Sequence, residues 1–299
     1  MTSAPVLLSP LRYPGSKRRL SAYIRDALLL NDIRPSLYVE PFVGGGSVFL
    51  QLLQDNLVEQ VILIDRDPWV ASFWHSLFFD TDWLVTQVQE REISLQQWDV
   101  IKQSNPQTKR EQAWACLFLN RTSFSGILER TAGPLGGRKQ TSRYKIDCRF
   151  PRQTLVDRIR RIGAYRDKVA AIHALSWHEG LRWIQHTQAA GKLPRNNVFY
   201  YFDPPFFNKA KMLYRFYFSP QDHIDLRDTL LQLTDKWILS YDSAEQVEAL
   251  YGQALRRRVN GAQKHDVETL YSASTMQERK KGKEVILSNL EHLPPIDLS

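Results

Sequence analysis

The stretch Val198-Phe199-Tyr200-Tyr201-Phe202-Asp203-Pro204-Pro205-Phe206 decides the fold. Its first five residues are β-branched or aromatic, the composition of a buried strand. That strand delivers a carboxylate, two prolines and an aromatic ring at its carboxyl end. In open α/β sheets this end is where ligands bind. Each proline fixes its own φ and pushes the residue before it to extended backbone, so the loop is stiff.

These residue types suit one kind of chemistry. An exocyclic amino group on a heteroaromatic ring is a poor nucleophile, because its lone pair is delocalised into the ring. Asp203 can accept one N–H, the carbonyl of Pro204 the other, and Phe206 can stack on the flat base. The plainer alternative is a strand followed by a proline-bearing turn.

Working outward, a second strand-to-loop junction lies upstream. Leu37-Tyr38-Val39 is a short strand, Glu40-Pro41-Phe42-Val43-Gly44-Gly45-Gly46-Ser47 a glycine loop, and Val48-Phe49-Leu50 opens a helix. Glycines let a backbone approach a ligand closely. The third glycine of GxGxxG is missing, which counts against a dinucleotide. Val61-Ile62-Leu63-Ile64 forms the next strand and ends at Asp65. Asp65 lies where a Rossmann-type unit places an acid on ribose hydroxyls. Asp67 caps a helix through Trp69 and Trp74.

Near the N-terminus, Leu11-Arg12-Tyr13-Pro14-Gly15-Ser16-Lys17 reads as a turn entering a helix near Ser16, with Lys17 favouring an anion. Residues 81–119 read as helical and amphipathic. Leu119 to Ile127, with Gly133-Pro134-Leu135-Gly136-Gly137 after it, reads as an exposed hairpin or loop. Val169 to Leu175 is a third strand and 179–189 a helix. Asn208 to Phe218 is an aromatic and basic loop positioned to cover the site. Ser219-Pro220-Gln221-Asp222 starts a helix. Trp237 to Ser240 is a fifth strand, Glu245 to Tyr251 a helix closed by Gly252, and Glu284 to Asn289 a late strand.

Composition narrows the class. The chain has 299 residues, 43% of them hydrophobic, enough for a sizeable core. No apolar stretch reaches membrane-spanning length, and the N-terminus lacks the features of a signal peptide. Cys116 and Cys148 make no disulfide framework, the seven histidines show no HExxH pattern, and no metal site is expected. The expected compartment is the cytoplasm of a bacterium or of a phage's host. The formal charge is +8, and its location says more than its size. Residues 121–170 hold thirteen Lys+Arg against four Asp+Glu, which leaves 27 against 28 in the other 249 residues. An excess concentrated in fifty residues favours a polyanion partner. Arg138, Lys139, Arg158 and Arg161 are the candidate contacts, mixed with Tyr144 and Phe150.

With these residues in place, the chain resembles the Dam-like, alpha-group DNA N6-adenine methyltransferases, which use S-adenosylmethionine. Tyr13-Pro14-Gly15-Ser16-Lys17 is similar to the family's N-terminal cofactor motif, and Glu40 to Ser47 to its glycine loop. Leu119-Asn120-Arg121 with Phe124-Ser125-Gly126 resembles the segment opening the DNA-facing hairpin. Asp203 to Phe206 resembles the catalytic motif, with Phe206 where tyrosine is commoner. Ile238 to Tyr241 and Glu284 to Asn289 resemble the C-terminal motifs. Ser176-Trp177 stands where many relatives carry an acid, and residues 127–168 diverge most from the GATC enzymes.

The resemblance implies a Rossmann-like methyltransferase sheet, an α/β fold with helices on both faces and an inserted, mainly helical DNA-recognition segment. Residues 1–80 and 169–299 would form the catalytic domain and 81–168 the insert. It implies methyl transfer to adenine N6 in duplex DNA after base flipping. Asp203, Pro204, Pro205 and Phe206 would be catalytic. Tyr13, Lys17, Glu40, Phe42, Gly44, Gly46, Asp65 and Asp203 would hold the cofactor. Asn120 and Arg121 would join the basic residues on DNA, and a cognate restriction endonuclease would be a further partner. Four alternatives stay open at this point: cytosine-N4 methylation, RNA as the substrate, a DNA-binding relative without turnover, and a nicotinamide oxidoreductase.

Overall fold

The computed structural model describes residues 7–12, 18–129, 131–207, 214–241, 244–270 and 281–295. Seven strands form one sheet in the order β3-β2-β1-β4-β5-β7-β6. They are β1 (Leu37–Glu40), β2 (Gln60–Ile64), β3 (Val169–His173), β4 (Val198–Phe202), β5 (Lys236–Tyr241), β6 (Gln263–Leu270) and β7 (Lys281–Ser288). The first five in that order run parallel, and β7 is antiparallel to both β5 and β6. From β1 the chain steps to β2 and β3 on one side, then returns to β4 on the other. The reversal leaves a crevice at the carboxyl ends of β1 and β4.

Both faces of the sheet are covered, which is why its central strands are apolar throughout rather than alternating. Successive residues point to opposite faces. Tyr38, Phe199 and Tyr201 enter a core with α1 (Arg18–Leu30), α2 (Ser47–Gln54), α3 (Pro68–Phe79), α4 (Thr81–Glu90), α5 (Leu95–Gln103), α6 (Lys109–Thr122) and α7 (Arg152–Gly163). Val39, Tyr200 and Phe202 enter a second core with α8 (Trp177–Ala189), α9 (Pro220–Gln232) and α10 (Ala244–Arg256). Residues 81–168 therefore do not stand apart. α6 packs on α3, and its Phe118 and Leu119 are fully buried.

Three expectations change in detail, and one strand is new. The stretch 81–119 is three helices, because Ser94 and Thr108 each accept a bond from a downstream amide and restart the chain, Thr108 in a capping box with Glu111. The segment from Leu119 is not an exposed loop at its start. α6 runs to Thr122, and Asn120, Thr122 and Ser123 are fully buried. Their polar side chains read as turn formers, but buried partners hold them in the helix. Gly252 does not close the helix after Tyr251, since α10 continues to Arg256, whose guanidinium pairs with Glu248 at 2.8 Å. β6 went unread. Its sequence, Gln263-Lys264-His265-Asp266-Val267-Glu268-Thr269-Leu270, is polar because it is an edge strand, where charge discourages pairing with another chain. The N-cap at Ser219 is as expected, with Pro220 in the first turn and Asp222 completing a capping box.

Candidate active site

β1 ends at Glu40, a carboxylate only 3% exposed, which accepts the Tyr38 hydroxyl at 2.9 Å. Burial pushes Glu40 well above the usual carboxylate range, and the nearby Asp203 charge adds to this, against the Tyr38 bond. The glycine loop that follows is held from three sides. Val43 donates its N–H to Ile64 at 3.0 Å, Gly44 donates its N–H to Asp65 Oδ2 at 2.9 Å, and Trp74 Nε1 donates to the Gly44 carbonyl at 2.9 Å. Gly46 is required as glycine. Its φ is +67°, and a Cβ there would lie 2.3 Å from Phe49 and 2.6 Å from Trp74.

Asp65 follows β2. Its Oδ1 accepts the Asp67 N–H at 2.9 Å, so both oxygens hold backbone. Burial, with the Asp67 charge, pushes its carboxyl up to about 7. Asp67 caps α3 by accepting the Trp69 N–H at 2.9 Å and pairs with Arg215 at 2.8 Å. Asp203 follows β4, where Ser240 Oγ donates to its Oδ1 at 2.9 Å.

A cavity of about 490 Å³ joins these parts. Glu40, Phe42, Gly44, Gly46, Asp65, Asp203 and Pro205 line it. Ser176, Trp177 and His178 close one flank, and Asp222, Asp225 and Asp228 of α9 another. Tyr214 to Phe218 also line it. This loop is tied down at two points. The Arg215 guanidinium lies 3.8 Å over the Trp69 ring, and Phe218 meets Phe42 edge-on at 5.6 Å. The cavity wall carries seven carboxyl groups, Glu40, Asp65, Asp67, Asp203, Asp222, Asp225 and Asp228, against two arginines, Arg66 and Arg215; burial favours the neutral form of Glu40 and Asp67 pairs with Arg215, so the acidic excess comes chiefly from Asp203 and the three aspartates of α9. An acidic hollow in a chain of charge +8 is a local arrangement, suited to a cationic ligand.

Two expected members stand apart from the wall. Pro204 does not line the cavity, and Phe206 is 9% exposed and packs edge-on against Tyr214 at 5.9 Å. The cavity face thus belongs to Tyr214 rather than Phe206. Tyr13 and Lys17 lie outside the described residues, as do positions 208–213 of the covering loop.

The basic residues divide into two kinds. Arg138 and Lys139 are exposed, and Arg138 pairs with Asp99 beside the Trp98 ring. Arg158 and Arg161 are half-buried on α7, and Arg158 donates to the Ser9 carbonyl at 3.1 Å. Asn120 and Arg121 are buried rather than displayed. Asn120 accepts the Arg12 N–H at 2.6 Å and donates to the carbonyls of Arg12 and Gly126 at 3.0 and 2.9 Å. Its amide is spent on stapling the N-terminal segment to the end of α6, which corrects its expected place on an exposed loop.

Arg121 is held among cations. Burial, then Arg158, Arg12 and Arg149, lowers its guanidinium to about 9. Among the described residues Arg121 Nε and Arg12 Nη1 are buried and find no hydrogen-bond partner. Sequence reasoning gave no role of their own to Arg12 and Arg215, and named Arg149 only within the basic segment and Phe124 only within the hairpin-opening segment. Phe124 is 64% exposed on a tight turn, Phe124–Gly126, where a Cβ on Gly126 would lie 1.9 Å from the Arg12 carbonyl. For Phe124 the readable signal was its place in the Phe124-Ser125-Gly126 segment, and its exposure is a property of the fold. The arginine cluster left none, because only the fold brings residues 12, 121, 149 and 158 together.

Among the described residues no helix is long and apolar enough to cross a membrane, and no group of three or more His, Cys, Asp or Glu is arranged to hold a metal ion. Comparison with curated proteins finds no match. A family model described as D12 class N6 adenine-specific DNA methyltransferase matches residues 13–164, just over half of the chain and including the glycine loop, Asp65 and the arginine-rich helices. With that match joined to the parallel sheet and its acidic crevice, the chain belongs to the D12 class N6 adenine-specific DNA methyltransferases.

Proposed function

We propose that this DNA methyltransferase takes its methyl group from S-adenosylmethionine and delivers it to N6 of an adenine flipped out of duplex DNA. One observation carries the reading. The acidic cavity at the β1–β4 reversal holds the glycine loop, Asp65 and Asp203 together. Its volume falls within the range of about 300–1,000 Å³ typical of small-molecule sites. Its excess of carboxylates favours a sulfonium and disfavours the pyrophosphate of a nicotinamide cofactor. When bound, S-adenosylmethionine supplies an electrophilic methyl group on that sulfonium.

The residues of the chain do the rest. Phe42 offers a ring, and Asp65 keeps lone pairs for ribose hydroxyls beyond the two backbone bonds it accepts. Asp203 accepts an N–H of the adenine amino group and turns its lone pair toward the methyl. Tyr214 presents the aromatic face on the cavity wall. Holding both reactants in line supplies much of the acceleration. Residues 81–168 are the DNA-recognition segment in this reading. Burial and the charges of Arg158, Arg12 and Arg149 act against the Arg121 guanidinium, and a backbone phosphate bound beside it would offset them. Phe124 is placed to wedge against a base step.

The test is to express the chain in cells lacking adenine methylation and sequence their DNA by a methylation-sensitive method, beside Asp203→Ala. N6-methyladenine in a fixed sequence context, lost in the variant, is the expected outcome. Modified cytosine, or equal modification by Asp203→Ala, would refute the reading.

A further inference from the structure

Prolines stiffen the backbone of the catalytic loop but leave the Asp203 side chain to be fixed by something else. The carboxylate turns about a terminal sp³–sp² bond, whose rotation is broad and weakly held by its own torsional preference. The sheet places a partner beside it. Phe202 of β4 pairs with Leu239 of β5, so Asp203 and Ser240 follow side by side. Ser240 Oγ lies 2.9 Å from Asp203 Oδ1, and the Tyr201 hydroxyl lies 2.8 Å from the same serine oxygen.

The direction of this chain follows from counting protons. An ionised carboxylate only accepts, and serine has one proton to give. That proton goes to Asp203, so Tyr201 must donate to Ser240. Ser240 is fully buried and Tyr201 is 1% exposed. Burial, followed by the Asp203 charge, holds the Tyr201 phenol well above its usual range, so its proton stays in place. Hydrogen bonds in series polarise and strengthen one another in such dry surroundings.

We propose that Ser240, aligned by Tyr201, is a positioning residue for methyl transfer: it fixes the rotation of the Asp203 carboxylate so that the adenine amino group meets it in one orientation. The proposal rests on the reading of Asp203 as the group that holds that amine. The plainer alternative is that a buried hydroxyl needs a partner and Asp203 supplies one. The two differ in what they do to the rate. A positioning residue acts on the chemical step, and a purely structural one acts on folding or on binding.

The experiment uses unmethylated genomic DNA and tritium-labelled S-adenosylmethionine, both saturating, with the wild type, Asp203→Ala, Ser240→Ala, Ser240→Thr and Tyr201→Phe. Cofactor affinity is measured by calorimetry and DNA affinity by fluorescence anisotropy. Ser240→Ala is expected to lose roughly ten- to a hundredfold in rate, the scale of a small misplacement, with both affinities within about twofold. Ser240→Thr keeps the hydroxyl and should restore most of the rate. Tyr201→Phe keeps the ring volume and should lose about three- to tenfold, on the same reasoning, and it decides the matter if Ser240→Ala does not fold. An inactive Asp203→Ala beside wild-type rates in Ser240→Ala or Tyr201→Phe would overturn this inference alone, as would a rate loss matched by lost cofactor or DNA affinity. A wild type that labels no DNA, or an active Asp203→Ala, would remove the reading of Asp203 and this inference with it.

Discussion

Asp65 holds the glycine loop, and in the proposed reading it serves the ligand as well. Its two oxygens bind the amides of Gly44 and Asp67, and burial raises its carboxyl from 3.8 to about 7. The sign of the linkage follows. A raised folded-state value means that the protonated form is favoured by folding. The stability from Asp65 is fully present below about 3.8 and is lost as pH rises through about 7. Ribose binding has the opposite demand, since the ionised carboxylate is the better acceptor. Cofactor affinity should therefore rise between pH 6 and 8 while the contribution of Asp65 to stability falls. Asp65→Asn cannot titrate, so both trends should flatten in it, as followed by calorimetry and by denaturant melts at pH 5 and 8. Asp65→Ala should weaken the cofactor by roughly the 1.5–3 kcal/mol of a hydrogen bond to a charged group. Wild-type affinity in a folded Asp65→Ala protein would release Asp65 from the ribose role.

Among elements, the segment that follows Asp203 to Phe206 contributes Tyr214 to Phe218 to the cavity wall. Arg215 joins it to α3 through Asp67 at 2.8 Å, with side-chain exposures of 24% and 8%, and through the Trp69 ring. Removing one partner of a buried pair strands the other, at a cost of 3–5 kcal/mol when burial is complete; for this partly exposed arginine about 1–3 kcal/mol is expected. Arg215→Ala should thus lower stability and speed cofactor release. Arg215→Lys should fall between, because it keeps the charge without the planar stack. Stopped-flow dissociation rates that are the same in all three proteins would show that the loop does not retain the cofactor. How much of this was legible depends on where each contact is made. The glycine loop and Asp65 could be read because one strand–loop–strand unit carries them twenty residues apart. Arg215 could not, because its partner Asp67 lies across the cavity on a different strand end. β4 was legible to the residue as an unbroken apolar run, whereas β6 resembles a loop because an edge strand spends its alternate positions on charge. Asn120 looked like a turn residue for the same polar side chain that, buried, makes it a staple.

At the scale of the molecule, charge is sorted: the cavity wall is rich in acids, and residues 121–170 carry a net +9. Two kinds of arginine in that segment should respond differently to reversal. Arg138 and Lys139 are exposed, and Arg138 already faces Asp99. Arg138→Glu with Lys139→Glu should weaken DNA and flatten the salt dependence, since each lost phosphate contact takes about 0.9 from the slope of log K against log salt. The melting temperature should not move. Arg149 is also exposed, but its charge acts on the buried Arg121 and on Arg12. Burial and these cations disfavour the charged form of Arg121, and an acid beside it would ease that repulsion. Arg149→Glu supplies that acid. It should raise the melting temperature by about 1–2 °C while weakening DNA, so stability and binding move in opposite directions, as they do where a site is held ready at a cost to the fold. Thermal melts and anisotropy titrations at several salt concentrations measure both. If Arg149→Glu binds DNA with the wild-type salt slope, the cluster is not where the phosphate sits. If it weakens DNA yet leaves the melting temperature unchanged, Arg149 meets the phosphate as an ordinary surface charge, and the repulsion among Arg12, Arg121 and Arg158 is already relieved without it.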